Sequence, residues 1–96
     1  MADYCISAVR YNTEGTHIEW VKVHKDLGSS IGGWMRCPRA FIADLISSNK
    51  ATFQTIVPGD KGGWKDGSRI HVIDQVYLTT DPNSSKRDNL GNLEKF

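Results

Sequence analysis

Ninety-six residues, 39% hydrophobic and 24% charged, have the composition of an ordinary globular protein and leave room for one small core. Twelve Lys and Arg against eleven Asp and Glu give a net charge of +1, without a basic arm, which argues against a dedicated binder of duplex nucleic acid. No apolar stretch approaches the roughly 18 residues of a membrane span and the first residues lack a signal-peptide pattern, so a cytoplasmic protein without a membrane partner is expected.

Residues 3–12 are rich in β-formers and run into Asn12-Thr13-Glu14-Gly15, the signature of a strand entering a hairpin. The next strand, Thr16 to His24, slips out of alternation near Trp20, which calls for a bulge or burial of both faces. Residues 26–37, with their glycines and serines, read as a long irregular connection. Pro38 suits a first helical turn, and Phe41, Ile42, Leu45 and Ile46 then form one apolar stripe, predicting a helix over 38–48.

Thr52 to Val57 reads as a strand stopped by Pro58-Gly59, followed by a loop that carries Trp64. Residues 69–74 and 75–79 alternate as two further strands joined near Asp74-Gln75. Residues 81–96 form a turn-rich tail, docked on the body through Leu90, Leu93 and Phe96. The predicted fold is a single α+β domain over residues 1–96. It has a small, mainly antiparallel sheet or half-open barrel of about five strands (β-β-α-β-β-β) packed on one helix.

Cys5 and Cys37 form no CxxC or four-ligand pattern, so neither a disulfide framework nor a metal site is expected, and no cofactor is implied. Cys5 sits in a strand pattern and packs as a small apolar group. Cys37 falls at the predicted helix start, where the dipole would lower its pKa. His17 and His24, seven apart on one strand, point to opposite faces and cannot chelate together without a register shift. Asp81, Asn83, Ser85 and Asp88 are explained by turn chemistry, because the positions that complete a calcium loop are missing.

One local theme occurs twice: Gly32-Gly33-Trp34-Met35-Arg36 and Gly62-Gly63-Trp64-Lys65-Asp66. Two readings follow. Both Trp fold inward to close the ends of a small sheet, the more economical use of Trp in so short a chain; or both stand on flexible loops as recognition surfaces, with Arg36 and Arg39 after Trp34, and Lys61, Lys65 and Arg69 around Trp64. The second reading gives the candidate binding set Trp34, Arg36, Trp64, Lys65 and Arg69.

Because the overall field is neutral, a protein partner is preferred for that set, in a non-enzymatic binding or adaptor module. Single-stranded nucleic acid or a nucleotide ligand is the alternative, and a homo-oligomer is compatible with either. A small ribonuclease-like toxin would have to draw on His71, Asp74, Lys65 and Arg69.

Several segments share a texture. Tyr4-Cys5-Ile6-Ser7-Ala8-Val9-Arg10-Tyr11, the run from Thr16 to His24, Gly63-Trp64-Lys65-Asp66-Gly67, Thr80-Asp81-Pro82-Asn83 and Asp88-Asn89-Leu90-Gly91-Asn92-Leu93 together resemble the bacterial domain-of-unknown-function family 3892 over most of residues 3–93. The resemblance implies a compact bacterial domain with no attached activity and no catalytic residues to carry over. Glu94 departs from it, since a Pro commonly follows the second Leu. Gly28 to Cys37, with the first Trp, also lies outside the family pattern, which makes Trp34 the candidate for a specificity of this chain.

Overall fold

The computed structural model describes residues 2–28, 30–60, 62–73, 77–80, 90 and 93–96. The expected turn at Asp74-Gln75, Lys61, and the polar tail from Asp81 to Asn89 lie outside the described residues. The elements in chain order are β1 (Tyr4–Tyr11), β2 (Ile18–Asp26), β3 (Ile31–Pro38), α1 (Arg39–Ser47), β4 (Phe53–Pro58), β5 (Trp64–Arg69), β6 (His71–Ile73), β7 (Tyr77–Thr79) and β8 (Glu94–Lys95). The α+β class holds, and the described residues form no closed barrel.

The main sheet runs β3-β2-β1-β4-β5. It is mixed. β1 with β2, β2 with β3 and β4 with β5 are antiparallel, whereas β4 pairs in parallel with β1 at Tyr4–Ile6, and β8 pairs in parallel with β1 at Ala8 and Val9. Since β2 occupies one edge of β1 along its whole length, β4 and β8 share the other. The parallel pair is possible because β2, β3 and α1 together form the long crossover that such a pairing needs. β6 and β7 make a separate antiparallel pair.

Two expected loops are strands. The segment read as irregular contains β3, and the Trp64 segment is β5. In both, a neighbouring strand supplies backbone hydrogen-bond partners that local composition does not reveal. The two Gly-Gly-Trp segments therefore differ in backbone. Gly32 and Gly33 lie within β3 with no positive φ, opposite the single residue Lys25, as a bulge; Gly62 and Gly63 turn the chain at φ +79° and +69°. Only the second pair needs glycine for its backbone conformation.

The slip near Trp20 is a bulge: Arg10 pairs with Trp20 and Tyr11 with Ile18, leaving Glu19 unmatched. A second bulge at Ser7 was not legible from the sequence. α1 begins one residue after Pro38, which is its extended N-cap, and Asn49 follows with φ +58°.

The helix lies on one face of the sheet. Ile42 and Ala43 join Ile6, Val9, Val21, Val23 and Phe53 in a hydrophobic cluster that also contains Ile70, Leu78, Leu90 and Leu93. The last two anchor the chain just before β8, whose neighbour Phe96 donates its N–H to the Val9 carbonyl at 3.1 Å. Among the described residues no helix is long and apolar enough to cross a membrane.

Candidate functional site

Strand periodicity divides the sheet into two faces. Val21 and Val23 of β2 point toward α1, so Trp20, Lys22, His24 and Asp26 point away from it. Their partners on β3 share that orientation: Lys22 pairs with Arg36, and His24 with Trp34. Among the described residues no element packs over this face, because α1 and the β6-β7 pair all lie on the other side.

The open face collects aromatic rings and cations. Trp34 is 54% exposed with the Lys22 ammonium 4.4 Å from its ring centre, and the Arg36 guanidinium stands 4.5 Å from that of Trp20. Phe96 joins them, with Lys22 5.0 Å from its ring. Trp64, 44% exposed, leans on the His24 ring at 5.3 Å. The inward-closing reading of the two Trp is thus overturned. Their strands are the two ends of the sheet, where neither indole has a further strand to cover it.

The other half of the face is acidic. Asp26, Cys5, Gln54 and Asp66, from four different strands, form a row: the Gln54 amide donates to Asp66 at 3.0 Å and reaches the Cys5 sulfur at 3.8 Å, while the Cys5 thiol lies 3.9 Å from Asp26. Asp26, Gln54, Trp64 and Asp66, with Gly28 and Ser30, line a groove of about 340 Å³. Burial, reinforced by the Asp26 carboxylate, pushes the Cys5 thiol above its ordinary value of 9.0. The face is therefore cationic at Lys22 and Arg36 and anionic at Asp26 and Asp66, with aromatic rings between them.

His24 connects the two halves. The Gly32 carbonyl can only accept, so in the neutral ring Nδ1 donates to it at 2.9 Å and Nε2 accepts the Ser7 hydroxyl at 2.7 Å. A Ser–His contact of this kind is the first requirement for a nucleophile and its base. Here both residues are buried, Ser7 7% and His24 5% exposed, and the contact ties β1, β2 and β3 together beneath Trp64. Cys5 pairs with His24, and Ser7, two residues further along β1, shares that side of the sheet.

Of the five residues in the expected binding set, Trp34, Arg36 and Trp64 share the open face. Lys65 follows Trp64 on a strand and points to the opposite side, beside Val57. Arg69 lies at the far end of β5, lining a groove with Asp3, Ile46, Asn49 and His71. Lys65 is thus set on the other face from the Trp pair, and Arg69 at the other end of its strand from Trp64. Of the residues a ribonuclease-like site would draw on, Arg69 and His71 line one groove that Lys65 does not, while Asp74 lies outside the described residues. Trp20, Lys22 and His24 were missed as site residues, although their i, i+2, i+4 spacing on a predicted strand places them on one face.

Cys37 ends β3 one residue before the Pro38 N-cap of α1, and burial raises its pKa, contrary to the lowering expected from the dipole. Among the described residues no group of His, Cys, Asp and Glu is arranged to hold a metal ion. His17 stacks on Tyr77 at 5.6 Å, far in kind from the buried hydrogen-bonded setting of His24.

Comparison with known proteins adds nothing to this geometry. No family model, curated protein or solved structure matches the chain.

Proposed function

We propose that this chain is a small non-enzymatic binding module that recognises a protein partner through the sheet face opposite the helix. The observation that carries the reading is the half-exposure of Trp34 and Trp64 on one face, with Arg36 and Lys22 beside the first. Trp and Arg dominate the energetics of protein interfaces because each combines a large contact area with directional hydrogen bonding. The charge layout favours a partner that places acidic groups near Lys22 and Arg36 and a basic group near Asp26 and Asp66. A cytoplasmic setting and membership of the bacterial family 3892 belong to the same proposal; the latter rests on β1, the Trp64 segment and the residues around Leu90.

Quantitative affinity capture with wild type, Trp34→Ala and Trp64→Ala tests it. The expected result is one protein enriched on wild type and reduced about 30-fold on either variant, the loss of a hot spot worth roughly 2 kcal/mol. Circular dichroism and melting temperature should stay unchanged. Retention of every captured protein by both variants, or a collapse of the melting temperature, overturns the reading.

A second reading, single-stranded nucleic acid, is favoured by one observation, the stacking of Lys22 and Arg36 on Trp34 and Trp20. Asp26 and Asp66 oppose a phosphate chain that crosses the same face. Trp fluorescence titrated with an oligothymidylate separates the two readings: salt-sensitive quenching supports nucleic acid, and a flat titration removes it. The ribonuclease-like reading draws no support from the positions of Lys65 and His71.

A further inference from the structure

The two edges of the main sheet are built differently. β5 carries Lys65, Asp66 and Arg69, all exposed, and a bulge at Gly67-Ser68 opposite Thr55, devices that prevent another strand from adding to an edge. β3 has its bulge only at Gly32-Gly33; from Trp34 to Pro38 it is regular against β2 and carries one charge. Trp34 on the open face and Met35 on the helix face are both more than half exposed. Phe41, equally exposed, lines an apolar groove of about 260 Å³ with Met35 and Cys37 along the same edge.

We infer that β3 is the interface through which two copies of this chain pair antiparallel, joining their sheets into one. A two-fold axis through Met35 is the register the residues fit. Residues opposite each other in such a pair share a face. Met35 then meets Met35 of the second copy beside the Phe41 groove, and each Trp34 meets the other copy's Arg36, an aromatic ring against a cation. The two Arg36 side chains are kept apart, and Cys37 faces the side-chain-free Gly33. No like charges oppose each other in this register, as self-pairing requires. The pairing uses the backbone of the strand edge and draws on Trp34 and Arg36 of the open face, and it places two Trp34 rings on one continuous surface.

Sedimentation equilibrium of the full chain decides it, with Met35→Lys as the disrupting variant and Lys65→Met as a control at the other edge. Wild type and Lys65→Met should give twice the 10.7 kDa chain mass, and Met35→Lys the single mass with an unchanged circular dichroism spectrum. Hydrogen exchange should show alternate β3 amides from Trp34 to Cys37 protected in wild type and at least tenfold faster in Met35→Lys. Wild type that stays monomeric up to about 100 μM, a concentration that would populate a dimer with a Kd of about 1 μM, overturns the inference. A dimer that persists in Met35→Lys, with fast-exchanging β3 amides in wild type, overturns it as well.

Discussion

Single atoms decide much of the local structure. The Ser7 hydroxyl is the partner that the buried His24 Nε2 has in the structure, and it lies on that side because Ser7 is two residues from Cys5, which pairs with His24. Ser7→Ala removes the hydroxyl and leaves a buried acceptor unpaired, which costs about 1–3 kcal/mol. Urea denaturation measures it; a loss below about 0.5 kcal/mol would mean that the contact is not the tie described here. Periodicity alone does not find this pair. It identifies Ser7 and His24 as strand residues, but that they meet depends on the register that sets Cys5 opposite His24.

Elements differ in how their exposed and buried sides are used. The stripe Phe41, Ile42, Leu45 and Ile46 that predicted α1 spans more than the helix buries: Ile42 is 1% exposed, whereas Phe41 is 52% exposed beside the β3 edge. Ile42→Ala should therefore cost about 2–5 kcal/mol in a thermal or denaturant melt, as a core truncation does, and Phe41→Ala under about 1 kcal/mol in the monomer. Equal losses would place Phe41 in the core. The helix was legible because Pro38 and the stripe are local signals. β3 and β5 were not, because glycine-rich strands gain their order from a neighbour's backbone rather than from their own side chains.

For the whole molecule, the two thiols couple folding to pH. Burial raises both Cys5 and Cys37 above their ordinary value of 9.0. Below that value the thiols are protonated in both folded and unfolded chains, and their contribution is fully present. As pH rises past it the unfolded chain loses its thiol protons first, so stability falls through the folded pKa. Urea midpoints should drop as pH rises through and above about 9, with a shallower slope in Cys5→Ala/Cys37→Ala. Identical slopes would show that the thiols titrate alike in the folded and unfolded chain.

Sequence by itself determined the class of this protein, the hairpin from β1 to β2, the helix after Pro38 and the strand that Pro58 ends, because each is encoded in contiguous periodicity and turn chemistry. It also singled out Trp34 and Trp64 by repetition. Tertiary structure alone decided that both stand on edge strands, that Trp20, Lys22 and His24 join them, and that Lys65 and Arg69 do not. Which side chains share a face across five strands depends on register and bulges, and those follow from the pairing of segments far apart in the chain.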